Sequence, residues 1–315
     1  MNTEPTAGEP AADLVLAVDV GGTTIKSEIV DSDDTIVATS RVPTPHGEAA
    51  LDAISDAGHG LVASLPSADR VRVTRAAVGL PGIVDRVHGV GVLSGNVGWR
   101  DLQIAEPLRA RWALPVAIDH DVTLGGWAEW RRGAGRGVDD LCFVSIGTGI
   151  AATHVIGGRL IRGGMGQAGE LGHTPSRTGD KPCGCGARGC LETLASASSI
   201  EQTYAERTGS ERVPAEQVIA RRNDDAIAGA VWADAIDALA HGLSHVSHAV
   251  SPKRVVLGGG LSGAGPVLTA AVRDALVDRN RVVGVPEVVT GEFGARAGIV
   301  GVAMLARVGS TDNEV

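Results

Sequence analysis

Aromatic residues are scarce in this chain: two Phe, one Tyr and five Trp among 315 residues. Its core must therefore be built from Val, Leu, Ile and Ala. Cysteine is also rare, with four residues, and few cysteines held mostly in one cluster fit a reducing cytoplasm better than a disulfide-stapled secreted fold. Positive charge is in deficit, 28 Lys and Arg against 37 Asp and Glu, for a net charge of −9. Nucleic acid is thereby disfavoured as a main partner, since phosphate contacts need a basic face. No apolar run reaches the length of a membrane span. The first residues, MNTEPTAGEPAAD, lack the basic and apolar regions of a signal peptide. Glycine, by contrast, is plentiful at 44 residues, so many turns need positive φ or a close backbone approach to a ligand. A hydrophobic content of 43% and a charged content of 21% describe an ordinary globular chain, long enough for one large or two ordinary domains.

Three of the four cysteines fall in the stretch 170–192, ELGHTPSRTGDKPCGCGARGCLE. Cys183, Cys185 and Cys190 with His173 supply three thiolates and one imidazole, the donor set of a closed, structural Cys₃His zinc site. Glycines 184, 186 and 189 permit the tight turns that would aim three sulfurs at one ion. Glu170 and Glu192 bracket the cluster, so whatever the metal holds rigid carries a carboxylate at each end. The remaining thiol, Cys142, lies in an apolar run and reads as an inert core residue.

In chain order, residues 1–12 read as a flexible tail. Residues 14–20 (LVLAVDV) form a buried strand that runs into Gly21-Gly22-Thr23-Thr24, and strands at 25–30 and 35–42 complete an antiparallel meander. The glycine–threonine turn can offer backbone N–H groups and hydroxyls to an anion. It is not a Walker A loop, because no GxxxxGK[ST] follows, nor a Rossmann fingerprint, because a strand rather than a helix comes next. A helix is expected over 47–65, a strand over 75–80 ending in a Pro-Gly turn, and a hairpin through Val84 to Val92. The polar loop 94–101 contains Asn96 and Trp99; Trp99 either lines a pocket or plugs the edge of the core. A helix over 102–113 and a strand over 115–119 lead to His120 and Asp121. Asp121 is placed to cap a helix over 122–132 as well as to act chemically.

Residues 141–146, Gly147-Thr148-Gly149 and 150–156 repeat the opening pattern of apolar strand, Gly/Thr turn and returning strand. Two such turns imply a duplicated, two-lobed architecture with a nucleotide gripped between them. Helices follow at 196–208 and 225–250. His241, His245 and His248 read as helix-face residues with no carboxylate or cysteine beside them. A strand over 254–257 runs into Gly258-Gly259-Gly260 and a helix over 266–278, a place where N–H donors and open space could take a flat ring or an anion. A strand over 287–290 and a helix over 294–308 close the chain.

Taken together, these motifs resemble the sugar kinases of the repressor–ORF–kinase (ROK) family. The residues that carry the resemblance are the DxGGTxxK turn from Asp19 to Lys26, the loop 96–101, Asp121, the turn 147–149, the glycines 258–260, and the ExGH…CxCGxxGCxE pattern of 170–192. The resemblance runs from about 14 to 305. It implies an α/β, two-lobed, actin-like ATPase fold of the hexokinase and ribonuclease H type with a structural zinc loop. Residues 13–121 together with 298–315 would form a small lobe, and 122–297 a large one.

The resemblance also implies ATP-dependent phosphorylation of a hexose 6-hydroxyl, with glucose as first choice and an N-acetylhexosamine as alternative. Asp121 would be the general base. Asn96, His120, Glu170, His173 and Glu192 would bind sugar, with His173 holding zinc through its other ring nitrogen. Asp19 would orient Mg²⁺. Gly21, Gly22, Thr23, Thr24, Lys26 and residues 147–149 would hold phosphates, and Gly258, Gly259 and Gly260 the adenosine. A homodimer is expected. His120 departs from the Asn usual in the family, which bears on which hydroxyls are read. A sugar-responsive repressor of the same family would need a DNA reader, for which the dozen residues before Leu14 leave no room. A non-catalytic sensor is disfavoured by the intact Asp121 and both turns.

Overall fold

The computed structural model describes residues 13–309; the tail expected at 1–12 and the polar end from 310 to 315 lie outside the described residues. Strands β1 (Leu14–Val20), β2 (Thr24–Val30) and β3 (Ile36–Pro43) form the expected meander, followed by α1 (Ala49–Ser64), the single turn α2 (Ser67–Arg70) and β4 (Val73–Leu80). An antiparallel insert comes next, β5 (Ile83–Asp85), β6 (Val90–Ser94) and β7 (Trp99–Gln103), then α3 (Ala105–Trp112), β8 (Val116–His120) and α4 (Asp121–Arg132). The second half holds β9 (Leu141–Ile146), β10 (Ile150–Ile156), β11 (Arg159–Ile161), α5 (Glu192–Ala195), α6 (Ala197–Thr208), α7 (Ala215–Arg221) and α8 (Ala226–Val250). It ends with β12 (Arg254–Gly258), α9 (Pro266–Arg279), β13 (Glu287–Thr290) and α10 (Ala297–Val308).

The two halves share one topology. The sheets run β3-β2-β1-β4-β8 and β11-β10-β9-β12-β13, each an antiparallel meander extended by two parallel strands. The Gly/Thr turns after β1 and β9 therefore occupy equivalent places, as the repeated pattern implies. β1 is buried at every position because it lies mid-sheet with cover on both faces, whereas the edge strand β3 alternates between half-buried and exposed.

Each sheet has its own core: Leu16, Val18, Ile54 and Leu108 on one side, Val144, Leu239, Leu257 and Leu268 on the other. A third cluster joins the halves, with Ala17 and Ala77 of the first sheet and Phe143 and Val256 of the second packed around Trp127 of α4 and Val302 of α10. The two helices cross closely, since a Cβ on Gly301 would lie 2.1 Å from the Leu124 carbonyl oxygen.

The structure refines several local expectations. The loop 94–101 is a short turn, closed by Gly98 N–H donating to the Ser94 carbonyl at 2.7 Å, and strand pairing resumes at Ser94 and Trp99. Trp99 is 2% exposed and plugs the first core, and the helix after it starts at Ala105, not Leu102. The closing helix opens as a 3₁₀ turn, Gly294–Arg296, before α10. The helix expected over 266–278 is present as α9, with a 3₁₀ turn, Gly260–Ala264, leading from the last glycine of the triplet towards it.

Candidate active site

β1 delivers Asp19 beside the turn 21–24, which is closed by Gly21 N–H donating to the Thr24 carbonyl at 3.0 Å. Thr44 braces the turn from β3's end, its hydroxyl donating to the Gly21 carbonyl at 2.8 Å and its N–H to the Thr23 carbonyl at 3.0 Å. Asp19 is buried, with Lys26 Nζ 3.4 Å from Oδ2. Burial pushes its carboxyl up and Lys26 pulls it down. Gly298 leaves room there, since a Cβ on it would lie 3.0–3.1 Å from the two carboxylate oxygens. A buried oxygen donor at the foot of a glycine turn suits a hard cation such as Mg²⁺.

β8 ends on His120, and Asp121 is the first residue of α4 rather than its cap; His120 holds the cap position. Asp121 Oδ1 accepts the Val122 N–H at 2.7 Å. Burial first, then Asp19 and Glu170, hold its carboxyl well above the usual range, against Val122 N–H and Lys26. The carboxyl thus lies within the field of groups from both halves, a setting in which a carboxyl's pKa is perturbed. His120 reaches Asp121 Oδ1 with Nε2 at 3.3 Å and Thr123 Oγ1 with Nδ1 at 3.1 Å. Burial holds its imidazole below the usual value, against Glu170 and Asp119.

Asn96 is exposed between the two turns. A Cβ on Gly22 would lie 3.3 Å from Asn96 Cβ, and one on Gly149 would lie 3.7 Å from Asn96 Nδ2 and 2.9 Å from Glu192 Oε2. Glu192 Oε2 accepts the Ile150 N–H at 3.4 Å, tying the end of the cysteine loop to the turn 147–149. That turn closes through Gly147 N–H donating to the Gly149 carbonyl at 2.9 Å, and Thr148 lines a cavity of about 500 Å³ with Cys183, Glu192 and Thr193. In the glycine triplet, a Cβ on Gly258 would strike the Phe143 ring at 2.4 Å. Gly259 has φ +77° and lies against the Ile146 backbone, and only Gly260 faces open space.

The cysteine loop brings its four donors together: the ligand atoms of His173, Cys183, Cys185 and Cys190 all lie within 4.8 Å of one another. Cys185 and Cys190 sulfurs are 3.6 Å apart, and Cys183 Sγ is 3.6 Å from His173 Nδ1. Edges of about 3.7 Å are what a tetrahedron of ~2.3 Å Zn–S bonds requires, so the donor set fits zinc. His173 turns Nδ1 to the cluster and Nε2 to Glu170 at 3.8 Å, while Glu192 Oε1 lies 3.2 Å from Cys183 Sγ. Cys142 is fully buried, its thiol pushed up to about 12 by burial, as expected for a core residue.

Two readings of the sequence need amendment here. Asp237, one turn before His241, does accompany the helix histidines, but its carboxylate is held by Arg177 and Arg279. The stretch 162–169 also escaped notice. Arg162 makes a bidentate pair with buried Asp119 at 2.9 and 2.5 Å, directly behind His120. Arg162, Asp119, His120, Thr123 and Glu170 line a cavity of about 310 Å³. The density of glycines just before Glu170 was the available signal.

A model of the ROK family matches residues 15–308. The chain is 31% identical to a glucokinase of Streptomyces coelicolor, over 93% of this chain and 98% of that one. It is 30% identical to a glucokinase of Thermotoga maritima, over 93% and 97%. The crystal structure of a ROK family glucokinase from Streptomyces griseus in complex with glucose and AMPPNP superposes with a TM-score of 0.83 at 28% identity, covering 94% of this chain and all of that one.

Proposed function

The chain belongs to the ROK family and has its two-lobed, actin-like ATPase fold, and from that premise we propose that it transfers the γ-phosphoryl group of ATP to the 6-hydroxyl of glucose. The observation that carries the proposal is the position of Asp121: a half-buried carboxyl in the field of Asp19 and Lys26 on one side and Glu170 on the other. The glucokinase relatives and the glucose- and AMPPNP-bound neighbour support the choice of substrates.

Phosphoryl transfer needs alignment, charge neutralisation and a group to take the acceptor's proton. Asp121 takes that proton as the hydroxyl attacks, help worth roughly 10²–10⁴-fold. Asn96, His120, Glu170, His173 and Glu192 converge as donors and acceptors for the sugar's other hydroxyls. The turns 21–24 and 147–149, from equivalent strand ends, supply N–H groups to the phosphates, and Lys26 adds charge. Gly260 leaves space for the nucleoside, with Gly258 and Gly259 setting the backbone path behind it. Asp19 would hold Mg²⁺, which when bound neutralises phosphate charge. Zinc on His173, Cys183, Cys185 and Cys190 would fix the sugar-facing edge of His173.

We take residues 13–121 with the closing helix as one lobe and 122–297 as the other, working as a homodimer in the cytoplasm. No helix among the described residues is long and apolar enough to cross a membrane. The test is a coupled assay with MgATP over glucose, mannose, N-acetylglucosamine and N-acetylmannosamine. Glucose should give the highest kcat/KM. Turnover confined to an N-acetylated sugar would transfer the assignment to the alternative class, and turnover of none would sink it.

A further inference from the structure

Two residues that the proposed function leaves unused form an ion pair between the two sheets. Asp119 is 3% exposed on β8, the edge strand of the first sheet, and Arg162 directly follows β11, the edge strand of the second. Arg162 Nη1 and Nη2 donate to Asp119 Oδ1 and Oδ2 at 2.9 and 2.5 Å. Two such bonds fix the pair in angle as well as distance, which a single contact would not. Oδ1 also accepts the His120 N–H at 2.8 Å, so the same carboxylate holds the end of β8. Thr123 Oγ1 holds the His120 ring at Nδ1, 3.1 Å away.

From Arg162 the chain makes a compact loop that ends at Glu170. Ala168 N–H donates to the Arg162 carbonyl at 3.0 Å and Gly166 N–H to the Gly163 carbonyl at 3.1 Å. Residues 163–167 are all exposed, so the tip of the loop gains no hold from core packing. Its far end is tied at Gly169, whose carbonyl accepts the Ala152 N–H of β10 at 2.7 Å. At φ +109°, a Cβ on Gly169 would lie 2.0 Å from the Ala152 carbonyl oxygen, so the two backbones meet closely there. Its near end is tied to the other sheet by Arg162. His120 and Glu170, assigned to the sugar from opposite halves, line one cavity of about 310 Å³ with Asp119 and Arg162. A buried ion pair adds little net stability once its desolvation is counted; its better use is to fix register. We propose that Arg162 and Asp119 are positioning residues of the sugar site, a latch between the sheets that sets Glu170 at its working distance from His120. The inference rests on the reading of that cavity as part of the sugar site.

The experiment compares kcat, KM for ATP, melting temperature and KM for the hexose that the unaltered protein phosphorylates best. The variants are Arg162→Met, Arg162→Lys, and Asp119→Asn combined with Arg162→Met. Arg162→Met strands the buried Asp119 carboxylate, so it should lower the melting temperature and raise KM for the sugar by about tenfold or more. The double variant removes the stranded charge and keeps an acceptor for the His120 N–H, so its melting temperature should return close to that of the unaltered protein. Its KM for the sugar should stay raised by about tenfold, while kcat and KM for ATP change by less than about threefold. Arg162→Lys keeps the charge without the fork and should still raise KM for the sugar by about threefold or more. If Arg162→Met does not fold, the other two variants decide the matter. A double variant that recovers both melting temperature and KM for the sugar would show a pair that only stabilises the fold, and would overturn the proposal. So would an unchanged KM for the sugar in Arg162→Lys, or equal rises in both KM values. Absence of turnover with any hexose in the unaltered protein would instead refute the sugar-site reading, and the latch with it.

Discussion

Asp121 is subject to two opposed demands. To act as the proposed base it must be ionised, yet it is half-buried with Asp19 and Glu170 in its field, and its carboxyl is held well above the usual range. A carboxyl whose pKa is raised on folding penalises the native state once pH climbs through the raised value, and costs nothing below the unfolded value of about 4. Asp121→Asn should therefore cut kcat at least about a hundredfold while raising stability near neutral pH by about 1 kcal/mol. That gain should shrink towards zero as pH falls to about 4, where Asp and Asn are both neutral. Melting curves between pH 4 and 8 beside the coupled assay check both halves; near-normal turnover, or a variant less stable at every pH, would contradict the account. Asp119 and Arg162 show why this level was only partly legible: they lie 43 residues apart, and nothing local in either segment indicates that they meet.

Elements were legible where period and punctuation agreed. β1, β2, β13 and α8 lie at or within a residue of the expected bounds; a continuous apolar run fixes β1, the turns on either side bound β2, and a long 3.6-residue stripe fixes α8, which is also capped by Asp225, accepting the Ile227 and Ala228 N–H groups. β7 (WRDLQ), β11 (RLI), α5 (ETLA) and α7 (AEQVIAR) escaped because they are short and carry neither a continuous apolar run nor a repeated helical stripe. Their existence is decided by tertiary pairing.

One tertiary joint at this scale is Glu129, fully buried near the end of α4. Its carboxylate accepts N–H groups from Ala134, Glu292 and Phe293 at 2.9, 3.0 and 2.8 Å, binding α4 to the loop before α10. Glu129→Ala leaves three part-buried donors without their acceptor and should cost roughly 2 kcal/mol or more, read as a lower urea midpoint; an unchanged midpoint would show the joint to be dispensable. At the glycine triplet, Gly259→Ala forces a Cβ to within 2.6 Å of the Ile146 backbone at φ +77°. It should destabilise by roughly 2 kcal/mol and raise KM for ATP more than KM for glucose.

Across the whole molecule, the duplicated sheets place the two Gly/Thr turns at equivalent strand ends, but the cysteine loop belongs to one half only, and its anchorage ties the proposed sugar wall to that half's core. Leu171 and Leu191, on either side of the cluster, sink into the second core and meet at Gly242 of α8, where a Cβ would lie 2.3 Å from Leu191 and 3.3 Å from Leu171. Between these anchors the loop is held by few backbone bonds, such as Ser176 N–H to the Gly189 carbonyl at 2.7 Å and Cys183 N–H to the Ala187 carbonyl at 2.9 Å. A metal closing the four donors would supply the missing rigidity, and its loss would be felt first at His173 and Glu192, which join the cluster to the sugar side. The purified protein should contain about one zinc per chain. Chelation, or Cys185→Ser at the exposed ligand, should lower the melting temperature and raise KM for glucose by about tenfold or more. KM for ATP should move less, because of the segments assigned to the nucleotide only the turn 147–149 is joined to the loop, through Glu192 and the Ile150 N–H. Equal changes in both KM values would mean that the metal holds the fold as a whole; an active, zinc-free protein with an unchanged KM for glucose would remove the metal from sugar recognition altogether.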